Sequence, residues 1–368
     1  MRNRSLRLMH TASALHPCRG TGGANCVGML RVHLENGRVR IGEHFSISFQ
    51  RTVRVPDDGK IYPLPPGLGP LPIHDVRDFA GQFPASWLGR ESHFFIPMYQ
   101  REALWLGFGG AFWKPNAVKI AAGRRNALTG ESWTASLHAH PQDYLVCPDQ
   151  PWLDGFKTGE GVVRQFVAMP LGRGYSVEAQ LTGTEYVGGI QIDVYEAKPG
   201  RFSDQPPPAV ESGVVKPLSA RAAMPGMGLG AGGLVTQRVY PDPYGIETWN
   251  MANAGSVFIH ILNSRQYRAV TGREPPPTPL DAKTYLEHGF PWFELYDEPE
   301  GDVPASESLS HIKSVQELEA EKEPAAGEKE SAGHTEPIIE RLRHKGKNET
   351  GDDSPRTHDT GRTRGSDR

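Results

Sequence analysis

Residues 30–49 read LRVHLENGRVRIGEHFSISF. Leu30, Val32 and Leu34 alternate with Arg31, His33 and Glu35, and Asn36-Gly37 supplies the positive φ angles of a tight turn before Val39 and Ile41 resume the alternation. That is a β-hairpin, because successive side chains of a strand point to opposite faces and an Asn-Gly pair suits a two-residue turn. Phe45, Ile47 and Phe49 continue one apolar face, and Pro56-Asp57-Asp58-Gly59 makes the next turn.

Working outward, the same two-residue period recurs in Ala117–Ala122, Tyr144–Cys147, Val162–Met169, Tyr175–Leu181, Gly189–Glu196, Leu234–Tyr240 and Ser256–Leu262. Short strands between glycine and proline turns predict a mainly β fold, a β-sandwich or partly closed barrel. Composition agrees: 42 glycines and 32 prolines among 368 residues leave little room for long helices. One helix is signalled at Thr278–Gly289, with Pro279 in its first turn and Pro291 beyond its end, and a second at Ser264–Val270. Pro63–Pro72 predicts an extended surface path, and the Pro/Gly-rich Pro199–Gly233 reads as a binding lid or a disordered insertion.

Both ends differ from the middle. Residues 1–28 hold Arg2, Arg4, Arg7 and Arg19 and no acid, the composition of a mitochondrial transit peptide, a disordered leader, or a start placed ahead of Met29. Residues 297–368 hold 18 acidic and 11 basic residues and no Phe, Trp or Tyr, so an acidic disordered tail is expected there. Within it Ile312, Val315 and Leu318, and then Ile338, Ile339 and Leu342, suit either partner-docking helices or residual helicity in a solvated tail. The body is therefore placed at 29–296, with a cytoplasmic location expected unless the leader targets mitochondria.

Several function classes are excluded at this level. A formal charge of −3 gives no field for nucleic acid, and the longest nearly apolar run, Ala103–Trp113, is eleven residues where a spanning helix needs about 20. Cys18, Cys26 and Cys147 form no disulfide framework. Gly228-x-Gly230-x-x-Gly233 matches the dinucleotide fingerprint, but a strand follows it where a helix is required. His138-Ala139-His140 with Asp143 lacks a third histidine at a ligand spacing, so neither a metal nor a cofactor is expected. His260 reads as a buried, hydrogen-bonded core histidine.

The informative signal is polarity on apolar strand faces. Counting by two from Phe45 puts Arg51 inward, where a guanidinium needs a carboxylate or a ligand unless a bulge shifts the register; Gln165 interrupts Val163, Val167 and Met169 in the same way. Around these positions Tyr99-Gln100-Arg101-Glu102, Gln142-Asp143-Tyr144 and Asp149-Gln150-Pro151-Trp152-Leu153-Asp154 repeat aromatic, amide and carboxylate groups. Such groups suit a glycan or extended peptide, and equally the covering of sheet ends. Two function classes follow: a non-catalytic binding protein using Arg51, Tyr99, Arg101, Glu102, Gln142, Asp143, Trp152, Asp154 and Gln165, or a hydrolase drawing its acid and base from Glu102, Asp143, Asp149 and Asp154. A protein partner for the tail is a further expectation.

Phe49–Gly67, Pro141–Gly155 and Gly161–Pro170 resemble segments of an uncharacterised protein family of bacteria and fungi, over most of Met29–Asp297. The resemblance implies one evolutionary unit and brings no activity or site residue with it.

Overall fold

The computed structural model of the chain describes residues 29–89, 91–207, 227–276 and 301–322. The hairpin forms as read. Strand β1 (Val32–Glu35) pairs antiparallel with β2 (Arg38–Ile41), and the turn residues Asn36 and Gly37 both take positive φ.

Strands are numbered along the chain, and the first arm of the sheet runs β1, β2, β3 (Phe45–Thr52), β8 (Ala103–Gly110), β14 (Val162–Pro170) and β16 (Met227–Thr236), each antiparallel to the next. Along it lie the shorter β4 (Ile61–Tyr62), β5 (Gly67–Pro70), β12 (Trp152–Leu153) and β13 (Gly155–Gly159). A second arm runs β6 (His74–Asp75), β7 (Ser92–Pro97), β17 (Trp249–Leu262), β15 (Ile190–Ala197) and β9 (Asn116–Ala122), with β10 (Arg125–Asn126) and β11 (Leu145–Cys147) on its edge. The pair Met227 and Ile261 joins the arms, so the strands form one mainly antiparallel sheet that is not closed into a barrel.

Alternation decides what each arm buries. Ile41, Phe45, Ile47, Phe49, Leu104, Leu106 and Phe166 of the first arm and Val118, Ile120, Ile192, Val194, Ile259 and Ile261 of the second belong to one buried cluster between the arms. The second arm's outer face is covered twice: by Val76, Phe79, Phe83, Tyr267 and Val270 on Phe95 and Leu262, and by Leu137, Tyr144 and Trp249 on Ala117 and Tyr195. His260 is buried in the first of these covers, against Trp87 and hydrogen-bonded to His93 at 2.9 Å. Burial, and then the charge of His93, holds it well below the ordinary histidine range.

Four expectations are corrected. Tyr175–Leu181 is not a strand: Val177–Thr182 is helix α1, because the Ser176 hydroxyl accepts from Ala179 N at 3.1 Å and Gly183 closes the other end with positive φ. The Gly228–Gly233 motif is not a loop but the interior of β16, which ends at Thr236 where the strand was expected to run to Tyr240. At Gly233 a Cβ would stand 2.3 Å from the Pro56 carbonyl oxygen, so close packing accounts for glycine there. Pro63–Pro72 is partly strand, as β5 pairs with β3. Helix α2 (Ser264–Thr271) lies where the second helix was read, with Asn263 and Gln266 forming a capping box. The Thr278–Gly289 helix, Cys18, Cys26, residues 1–28 and residues 208–226 of the proline-rich stretch fall outside the described residues.

The fourth correction concerns the tail. Residues 301–322 pack onto the body through Val303, Leu309, Ile312, Val315 and Leu318, all buried, with helices α3 (Glu307–Ser310) and α4 (Val315–Glu321). Asp302 provides the counter-charge for the fully buried Lys157 and accepts from Val239 N at 2.8 Å. Composition misled because such a segment cannot form a core of its own; it borrows one, with Val315 lying against Val167 and Met169 of the sheet. Ile338, Ile339 and Leu342 lie outside the described residues. Ending the chain at Glu300 is expected to lower the Tm in a calorimetric melt by several degrees or more, since five buried apolar side chains are lost; an unchanged melt would contradict the packing of this strap.

Candidate functional site

The register between β3 and β8 runs without a break from Phe45 to Thr52, so Arg51 does point inward, and its counter-charge is Glu102 at 3.0 Å. Glu102 also accepts from Tyr99 N at 2.7 Å; burial pushes its carboxyl up, against the pull of Arg51. Arg101 stands at the surface, paired with Glu319 of the strap at 2.7 Å. Asp143 is buried and accepts from Lys119 Nζ at 2.6 Å and from His138 Nδ1 at 2.8 Å. Among the described residues no group of three or more His, Cys, Asp or Glu side chains could hold a metal ion.

The amides have equally definite partners. Gln165 accepts from Val55 N at 2.8 Å and donates to Val53 O at 3.0 Å, completing a stretch of backbone beyond the end of β3. Gln142 accepts from Asp242 N at 2.8 Å and donates to Tyr144 O and Tyr240 O. Asp154 is buried beside Gln237, which donates to its carboxylate and accepts from its N–H, both at 2.9 Å. Burial pushes that carboxyl up to about 7, against the opposing pull of Trp152 and Gln237. Asp149, by contrast, is exposed and within 3.4 Å of the Tyr244 hydroxyl. Glu102, Asp143 and Asp154 are thus each engaged inside the chain, in three separate settings. A cavity of about 550 Å³ is lined by residues 77–82 and Val270, and none of the sequence-predicted residues borders it.

One sheet face is different. The outer side of β14 and β16 is covered by Val55 and Leu64 and by Val315 of the strap, but on β2, β3 and β8 the outward residues include Arg38, Arg40 (paired with Glu35), Ser46, Ser48, Gln50, Trp105, Gly107 and Gly109, and no apolar cluster covers them among the described residues. At Gly107 a Cβ would meet the Ser48 hydroxyl at 2.9 Å and the Trp105 ring at 3.0 Å, and at Gly109 one would meet the Arg38 guanidinium at 3.0 Å. Two planar groups therefore lie close against the bare backbone of β8, with Trp152 opposite Gly107 in the adjoining strand. At the end of β8 a Cβ on Gly110, which pairs with the inward Phe45, would meet Pro148 at 3.3 Å, and the chain continues into the 68% exposed Phe112 and Trp113, whose rings meet edge to face. Tyr244, 40% exposed, is tied to this end through Asp149.

Of the sequence-predicted residues, Trp152 alone belongs to this face. Arg38, Ser46, Ser48, Gln50 and Trp105 were missed as a group, although the alternation placing Phe45, Ile47 and Phe49 inward also places Ser46, Ser48 and Gln50 outward. No family model matches the chain, and no curated protein or solved structure is similar to it, so no residue role is carried over from elsewhere.

Asp154 supplies a test of what its perturbed carboxyl does. The folded state holds this proton far more tightly than the unfolded chain, so the stability that Asp154 contributes is full below about pH 4 and is lost as the pH rises to about 7. Asp154→Asn removes that loss: its Tm relative to the native chain should rise between pH 4 and pH 7 and level off above. Parallel pH profiles would contradict the assignment.

Proposed function

We propose that this chain is a non-catalytic binding protein that takes an extended glycan along the outer face of β2, β3 and β8. The observation that carries the reading is the face itself: Trp105 and the Arg38 guanidinium lie close over the glycines of β8, with Trp152 paired opposite Gly107 and Ser46, Ser48 and Gln50 on the same face. An indole offers a flat apolar surface for the C–H side of a sugar ring, while the guanidinium and amide answer its hydroxyl groups and the buried Ser46 and Ser48 hydroxyls hold the guanidinium in place. From Trp105 to Gly109 the strand advances about 13 Å at roughly 3.3 Å per residue, a length that suits a polymer better than a compact molecule.

The hydrolase reading has less support. Of its candidate acids, Glu102, Asp143 and Asp154 are buried and bonded within the chain and do not lie on the face that carries the aromatic groups, which leaves the exposed Asp149 beside Tyr244 without a second candidate carboxylate to work with.

The test is retention on an array of neutral and acidic oligosaccharides alongside extended peptides, with thermal melts as a folding control. The native chain should retain a glycan class and release no products. Trp105→Ala should weaken that binding by about tenfold or more, as expected for a central aromatic contact worth 1.4 kcal/mol or more. Retention of peptides but no saccharide, or hydrolysis abolished by Asp154→Asn, would overturn the proposal.

A further inference from the structure

Interior cations in this chain are neutralised by carboxylates: Arg51 by Glu102, Lys119 by Asp143 and Lys157 by Asp302. Arg38 is the exception on the binding face. Its Nε donates to Ser46 Oγ at 2.9 Å, its Nη1 to Ser48 Oγ at 3.0 Å, and its Nη2 to Gly107 O at 3.1 Å and Ser46 O at 3.4 Å. All four acceptors are neutral. No carboxylate among the described residues forms an ion pair with it. Burial, and then the nearby charge of Arg40, draws the Arg38 guanidinium below its ordinary value, and among the described residues only neutral acceptors hold the charge.

The arrangement is also fixed in advance. Ser46 and Ser48 are buried beneath the guanidinium, Gln50 Nε2 donates to the same Ser48 hydroxyl at 2.9 Å, and Nη1 keeps a second hydrogen for a ligand. A group needed only to join β2 to β8 would not require a charge. A cation held over the glycines of β8 near an indole is suited to a ring with a carboxylate on it.

We propose that the glycan taken along this face is an acidic one, a chain containing uronic acid units, and that Arg38 receives the carboxylate while Trp105 receives the ring. The inference rests on the glycan-binding reading above and specifies its ligand class.

The experiment is titration calorimetry of the full chain with oligomers of galacturonate, mannuronate and glucuronate, each against its fully methyl-esterified form. A neutral glucan and poly-glutamate are added as probes. The native chain should bind at least one free acid about tenfold or more above its ester, with affinity falling as salt is raised. Arg38→Gln should bring acid and ester to the same weak level, Arg38→Lys should keep part of the preference, and Trp105→Ala should weaken both forms. Should Arg38→Gln melt early, Arg38→Lys and the acid-to-ester ratio of the native chain still decide the matter. Equal affinity for acid and ester would overturn the role of Arg38 and leave glycan binding standing. Binding of poly-glutamate without any saccharide, or of no probe at all, would overturn both.

Discussion

A backbone N–H or carbonyl that leaves a strand and stays buried must still be hydrogen-bonded, and in this chain side-chain amides meet that constraint. Residues 237–242 follow β16 without joining a ladder, yet Tyr240 N donates to Gln150 Oε1, Asp242 N to Gln142 Oε1 and Val239 N to Asp302. Gln150 in turn donates to Arg238 O, and Gln142 to Tyr240 O. Gln165 does the same for Val53 and Val55, and Gln237 for Trp152 and Asp154. Each glutamine acts as a portable peptide group, offering N–H donors and a carbonyl acceptor at the end of a flexible arm. Leaving either unpaired at such depth would cost about 1–3 kcal/mol.

That use of amides shapes where function can reside. Because Gln142, Gln165 and Asp154 are committed to holding irregular backbone, they are poor candidates for contact with a ligand, however suitable their chemistry looks in isolation. The buried charges are similarly committed, and removing one partner of such a pair costs about 3–5 kcal/mol. With one arm's outer face covered by helix, loop and aromatic side chains, and half of the other covered by the strap, the polar strip over β2, β3 and β8 remains. Arg38 is the charge on that strip that forms no ion pair among the described residues.

The sheet class was legible because Leu30–Phe49 carries both its period and its turn, and the need of Arg51 for a carboxylate followed from the same count. Glu102 as that partner was not legible, being 51 positions away and recognisable only once β3 lies against β8. Tyr175–Leu181 was misread because Tyr175, Val177, Ala179 and Leu181 alternate as a strand would, whereas the Ser176 cap and Gly183 stop settle the helix. The strap was misread because its apolar residues are too few for a core, and sequence does not disclose a ready-made one. Arg38 was passed over since an arginine in the outward position of a hairpin ordinarily faces water; its setting depends on Gly107, nearly 70 residues on.

Amide hydrogen exchange tests the constraint most directly. Val55, Asp154, Tyr240 and Asp242 lie outside the strand ladders, and their N–H groups donate to Gln165, Gln237, Gln150 and Gln142 respectively. If the glutamines hold these segments, the four amides exchange as slowly as those of neighbouring strands, and Gln142→Ala speeds exchange at Asp242 before it does so at Val55. Exchange of all four at the rate of open loops would show that the segments are not fastened in this way, and with that the division between committed interior and available face would fall.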